Sequence, residues 1–282
     1  VPPAAQAADK RPNVLLIMTD QQPISMVGAY GNPLAKTPSI DRLAREGMRL
    51  DVVHIAAFAC SPSRASYWTG RYPHHHGIVV NDVVLSEDIP TLGSVLHAAG
   101  YQTAFVGKWR LGGNMYASGE KTKWSHNRIA DPEQFRYGNE GPWRGGEDEP
   151  QCGFVDKWAG GWAQYHDYLR RVGLGDLLAK GRKVGNHNDL PSGPEGTHIH
   201  SQLPEEHHMA AFFAGEAEQF IRKDRDSKKP FCMVLSFYGP HLPVAPPQPW
   251  DTMLDPASVP LPENHVDPLT DKPGSQQNNS RC

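Results

Sequence analysis

The sequence predicts an α/β fold in which a doubly wound, mostly parallel sheet is flanked by helices. Three observations predict it. Continuous apolar runs recur along the chain, as strands buried on both faces require, in place of the polar–apolar alternation of a half-solvated sheet. Segments with helical spacing and capping residues lie between these runs. Three of the runs also end at an ionisable group, Asp20, Lys108 and His241, and open α/β sheets place their active sites at the carboxyl ends of strands.

The elements follow in chain order. Val14-Leu15-Leu16-Ile17-Met18 is an apolar run ending in Thr19-Asp20, predicted to be a strand buried on both faces. Thr37-Pro38 opens a helix through Ile40, Leu43 and Ala44 that stops at Gly47, with Pro just inside its start and Gly just past its end. Val52 to Phe58 is a second strand candidate and leads directly into Cys60. Thr91 caps a helix through Leu92, Val95 and Leu96 that ends at Gly100, and a strand over Thr103–Val106 runs into Gly107-Lys108-Trp109. His207 to Arg222 has helical spacing, and Phe231 to Phe237 is a strand followed by Tyr238-Gly239-Pro240-His241.

Residues 112–202 differ in character. They are rich in Gly, Trp, His and charge and are predicted to be a loop-rich insertion over the active-site face, with a short helix over Trp162–Val172. Trp124, Trp143, Trp158 and Trp162 serve either as packing anchors or as platforms for sugar rings. Residues 1–10 are small and Pro/Ala-rich, as expected either of an ordinary disordered terminus or of a segment left by signal-peptide removal, and the second reading gives a periplasmic or secreted location as the expectation. Residues 11–267 are then expected to form the α/β domain that holds the insertion, and 268–282 a polar tail.

Composition excludes some partners. A net charge of −3 gives no electrostatic ground for nucleic-acid binding. The longest apolar runs are strand-sized, so no membrane span is expected. The four cysteines, Cys60, Cys152, Cys232 and Cys282, contain no C-x-x-C pair. In an exported chain a Cys152–Cys232 disulfide is open to them. His198, His200, His207 and His208 have no acidic or cysteine partner at zinc spacing.

Cys60 stands in Cys60-Ser61-Pro62-Ser63-Arg64-Ala65-Ser66-Tyr67-Trp68-Thr69-Gly70-Arg71-Tyr72-Pro73. This string resembles the signature of the type I, formylglycine-dependent sulfatases, within the alkaline-phosphatase-like superfamily. The resemblance implies that a separate formylglycine-generating or sulfatase-maturating enzyme oxidises Cys60 to an aldehyde. It also implies hydrolysis of a sulfate ester, on a carbohydrate or an aryl group, with a calcium or magnesium ion. One hydroxyl of the hydrated aldehyde attacks sulfur, and loss of the other's proton re-forms the aldehyde and expels sulfate. Arg64, one helical turn from Cys60, steadies the site.

The supporting residues follow the same resemblance. Asp20-Gln21 occupies the family's first metal-binding pair, with Gln21 as a neutral oxygen ligand in place of a second acid and Cys60 completing the set. Gly107-Lys108-Trp109-Arg110-Leu111-Gly112 resembles the G-K-W-H-L-G element, in which Lys108 binds a sulfate oxygen. Arg110 replaces the usual His and is assigned to anion binding. His241, in Pro240-His241-Leu242-Pro243, is expected to help protonate the leaving alcohol. Asn81 is a candidate contact to the sulfate or diol. After Pro243 no Asp-Asn-Gly or Asp-His-Gly occurs, although the family carries its second ligand pair there. The chain is therefore expected to be truncated before the C-terminal metal ligands, with an incomplete sheet. Two other activities fit the motifs: hydrolysis of phosphonate monoesters or phosphodiesters, and non-catalytic binding of a sulfated ligand.

Overall fold

The computed structural model describes residues 11–111 except 82, 84 and 87, 152–177 except 160, 161 and 176, 203–261 except 242–245, and 270–272. The terminal segment 1–10, Trp124, Trp143, His198, His200 and Cys282 lie outside the described residues. The chain forms two compact units. The first comprises Val1–Asp20, Val52–Gly175 and Met209–Gly239, and the second comprises Gln21–Asp51, Asp176–His208 and Pro240–Cys282. Among the described residues no helix is long and apolar enough to cross a membrane.

The first unit is built on the expected parallel sheet. Its strands are β1 (Val14–Met18), β2 (Gln102–Gly107), β3 (Lys157–Ala159) and β4 (Phe231–Ser236), in the order β1-β4-β2-β3. Every pairing is parallel, with Leu16 opposite Val234, Ala104 opposite Met233 and Phe105 opposite Trp158. β2 and β4 are buried along their whole length, which is why their sequences read as unbroken runs.

Two strand expectations need correction. β1 is not buried on both faces: Leu15 and Ile17 are 45% and 51% exposed. Among the described residues β1 pairs with β4 alone, so it is an edge strand with one side uncovered. The segment Val52–Phe58 forms no strand, and Val52, Val53, Ile55 and Phe58 are exposed. β-propensity reports fit to a pleated, half-buried surface, and this segment has no such neighbour among the described residues.

Two helices carry clear boundary residues, α2 at its end and α4 at its start. α2 (Cys60–Thr69) ends at Gly70, which adopts φ 64 and donates its N–H to Ser66. A short α3 (Pro73–His76) follows. α4 (Leu92–Ala98) begins with a capping box, in which Thr91 and Ser94 each bond the other's backbone N–H through their side chains. α5 is Trp162–Arg171, and α6 is Met209–Gln219, continued by a π-helical turn over Phe220–Asp224. The stretch expected as an insertion thus supplies both β3 and α5.

The core lies between α2 and the sheet. Trp68 of α2 stacks on Trp109, with centroids 6.0 Å apart and planes at 14°, and meets Phe105 edge-on at 5.6 Å. Phe154, from the stretch before β3, closes the cluster. Gly107 ends β2 at φ +98, and a Cβ there would lie 1.9 Å from the Ser236 carbonyl oxygen of β4. Gly107→Ala is expected to destabilise the fold by about 3 kcal/mol, combining left-handed strain with overpacking against backbone. A urea melt checks this, and an unchanged midpoint would refute it.

In the second unit α1 (Pro38–Glu46) is tied to the turn before it. Asp41 accepts hydrogen bonds from the Ala29 N–H at 2.7 Å and the Thr37 hydroxyl at 2.9 Å. Thr37 in turn accepts from the Gly28 N–H at 2.9 Å. The Tyr30 hydroxyl donates to the Leu50 carbonyl at 2.9 Å, and Arg49 pairs with Asp51 at 2.6 Å.

Candidate active site

The carboxyl ends of three strands meet the start of α2 in the first unit. Backbone bonds gather them: the Phe237 N–H donates to Met18, Asp20 to Gly239 and Lys108 to Ser236, at 2.8, 3.1 and 2.7 Å. Asp20, Lys108 and Ser236 therefore come together because they end neighbouring parallel strands. Cys60 opens α2 directly after Ala59, whose backbone is extended at φ −85, ψ 152. One turn later Arg64 lies on the same helical face.

These side chains form a buried charged cluster. Asp20, Arg64 and Lys108 are 8%, 3% and 4% exposed. The Lys108 ammonium is ion-paired and hydrogen-bonded to an Asp20 carboxylate oxygen. The Arg64 guanidinium lies 3.7 Å from the same oxygen and donates to the Lys108 carbonyl at 2.5 Å and to the Ser236 hydroxyl at 2.8 Å. An Asp20 carboxylate oxygen and the Cys60 Sγ lie within 4.8 Å of each other.

The electrostatics of the cluster favour an anion. Two buried cations share one carboxylate, leaving excess positive charge in a place poor in water. Burial lowers the pKa of Arg64, against the pull of Asp20. Burial likewise lowers that of Lys108, against its hydrogen bond to Asp20. The Lys108 ammonium also sits 5.7 Å from the centre of the Tyr238 ring. Burial pushes the Tyr238 phenol upward, so it stays neutral.

The remaining predicted residues divide. Asn81 and Arg110 both meet Ser61, the neighbour of Cys60. The Asn81 Oδ1 accepts the Ser61 N–H at 2.9 Å, and the Arg110 carbonyl accepts the Ser61 hydroxyl at 2.9 Å. Arg110 holds a left-handed backbone at φ 64, and Gln21 does so at φ 60. Strain of this kind collects at functional sites. Gln21 and His241 belong to the second unit. Sequence reasoning missed Ser236 and Tyr238; the only signal was that Ser236 is the one polar residue in its apolar run.

Two other polar groups are structural. Cys232 is a buried thiol, and burial pushes its pKa up to about 11. No Cys152–Cys232 disulfide forms. In the His triplet, His76 is buried while His74 and His75 are exposed. Its Nδ1 accepts the Ile78 N–H at 3.1 Å and its Nε2 faces the Ser66 hydroxyl at 3.0 Å. Burial lowers its pKa. The folded form therefore prefers neutral His76 while the unfolded chain takes up a proton, so this contribution is complete above the ordinary value of about 6.5 and is lost as pH falls below it. Melting between pH 8 and pH 5 is expected to show a falling midpoint that His76→Gln reduces. An equal slope in both proteins would refute it.

The sulfatase family model matches residues 12–255. The chain is 28% identical over 264 residues to the uncharacterized sulfatase YidJ of Escherichia coli, covering 94% of this chain and 45% of that protein. It is 28% identical over 232 residues to an N-acetylglucosamine-6-O-sulfatase of Bacteroides thetaiotaomicron, covering 82% of this chain and 31% of that protein. Its fold is similar to the crystal structure of a phosphonate monoester hydrolase of Agrobacterium radiobacter, with a TM-score of 0.65, 23% identity, and coverage of 91% of this chain and 47% of that one. The chain thus spans less than half the length of these proteins.

Proposed function

The chain belongs to the sulfatase family, and on that premise we propose that it hydrolyses sulfate esters with Cys60, oxidised to formylglycine, as the nucleophilic residue. One observation carries this reading: Cys60 opens α2 within 4.8 Å of the Asp20 carboxylate, beside two buried cations. A sulfate ester is an anion whose negative charge sits on its non-bridging oxygens. Lys108 at the end of β2 and Arg64 in the first turns of α2 are buried, desolvated cations, and such preorganised charge stabilises a developing transition state strongly. Ser236 and the Lys108 carbonyl fix the Arg64 guanidinium in place. His241 is assigned protonation of the leaving alcohol.

A divalent ion fits the donor chemistry in part. Asp20 offers a hard carboxylate oxygen close to the Cys60 position, and Gln21 would add a neutral oxygen. A bound calcium or magnesium ion would supply positive charge that acidifies the nucleophilic hydroxyl. The Lys108 ammonium offsets part of the cost of burying the Asp20 carboxylate at this place.

The substrate class rests on a relative's name. The N-acetylglucosamine-6-O-sulfatase supports a sulfated carbohydrate for this chain as well. A maturating enzyme for Cys60 and an exported location belong to the same proposal. Parallel assays with an aryl sulfate, a sulfated hexosamine, a phosphonate monoester and a phosphodiester test it, together with intact-mass analysis of the Cys60 peptide. Faster turnover of either phosphorus ester than of any sulfate, or an unconverted thiol in active material, would overturn it.

A further inference from the structure

We propose that Ser61 and Asn81 are positioning residues that hold Cys60 against the Lys108–Arg110 segment, an inference that rests on the reading of Cys60 as nucleophile. The first turn of any helix leaves N–H groups without intrahelical partners. At α2 the residue before the helix, Ala59, makes no side-chain cap. Asn81 takes that place from 20 residues away, through its Oδ1 on the Ser61 N–H at 2.9 Å. The backbone amide can only donate, so the Asn81 carboxamide must turn its oxygen toward it.

Ser61 is held a second time. It is fully buried, and its hydroxyl donates to the carbonyl of Arg110 at 2.9 Å. Arg110 carries the unfavourable left-handed backbone at φ 64 and lies two residues past Lys108. The residue next to the nucleophile is thereby pinned at two atoms to two different segments, one of them bearing the anion-binding lysine. Removing either pin lets the start of α2 drift relative to Lys108. Displacements on the scale of an ångström at a reacting atom reduce rates steeply.

The test uses the matured protein with Ser61→Ala, Asn81→Ala and Asn81→Asp. Turnover of an aryl sulfate is measured per converted molecule, with conversion at position 60 quantified by peptide mass spectrometry. Ser61→Ala and Asn81→Ala are expected to lower kcat about tenfold with KM within about threefold of wild type. Asn81→Asp keeps an acceptor for the Ser61 N–H and is expected to recover most of kcat. If Ser61→Ala does not fold, the two Asn81 variants decide alone. Wild-type kcat in Asn81→Ala, or an effect confined to KM as for a substrate contact, would overturn the proposal, as would failure of Asn81→Asp to recover. Iodoacetamide labelling of Cys60 in unmatured protein gives a readout without turnover: its rate is expected to change about threefold in the alanine variants and not in Asn81→Asp. Should the wild type hydrolyse no ester while these labelling rates shift as expected, the functional reading fails and the positioning role stands.

Discussion

Cys60→Ser is expected to end sulfate-ester turnover and to leave the enzyme trapped after one chemical event. Removing a nucleophile that acts together with its neighbours costs on the order of 10⁴–10⁶ in rate, and kcat/KM should fall by at least the lower figure. The hydroxyl introduced by this substitution stands at the same place on α2. Its oxygen can form a bond to the ester sulfur while the ester S–O bond breaks and the proton leaves with the alcohol. A single hydroxyl cannot then re-form an aldehyde, so the enzyme-bound sulfate ester is stable. Intact-mass analysis after incubation with an aryl sulfate should find that adduct on the peptide beginning at position 60. Multiple turnover by Cys60→Ser, or no adduct in a folded variant, would end the assignment of Cys60 as nucleophile.

Asp20→Ala is expected to destabilise the first unit by roughly 3–5 kcal/mol, because it leaves two buried cations without their carboxylate. Arg64 and Lys108 both face the same Asp20 oxygen, so no other pairing seen in the cluster replaces it. For a domain of this size the shift in Tm is roughly 10 °C. A Lys108→Met change in the Asp20→Ala background should recover part of the loss, since it removes one of the stranded charges, and the two substitutions will be non-additive. Calorimetry of the two single variants and the double variant measures this. A Tm within about a degree of wild type for Asp20→Ala would show that the cluster is solvated and not held as described.

Much of the fold was legible in the chain, and the reasons are local. β2 and β4 are central strands of a parallel sheet, so their burial writes an unbroken apolar run into the sequence. α1 and α4 carry their boundaries in Pro38, Gly47, Thr91 and Gly100. β3 was illegible because three residues leave too short a pattern to stand out from the polar stretch around them. The exposed face of β1 and the segment Val52–Phe58 were misread for one reason: a residue's type declares what it prefers, not what is present to cover it.

The site was legible where chemistry constrains residue type and illegible where geometry does. Cys60 opens a helix, Arg64 follows it by one turn, Asp20 and Lys108 follow strands, and the structure gathers all four. Ser236 and Ser61 are ordinary residues whose roles come from partners, Arg64 and Arg110, that lie 172 and 49 positions away. No spacing rule carries that information. Gln21 and His241 sit in the other compact unit, so their assignments rest on the motifs around them.

The aromatic stack beneath α2 bears on how such a protein can change over evolutionary time. Lys108 is followed by Trp109, and Trp109 lies flat against Trp68 of the same helix that begins with Cys60. A substitution that alters this stack moves the start of α2 and Lys108 at once, so the Cys60 end of the charged cluster has little freedom to drift without loss of the whole fold. Under the proposed hydrolysis, diversification toward new alcohols is expected to come from segments not anchored in that stack, while the charged cluster is inherited nearly unaltered.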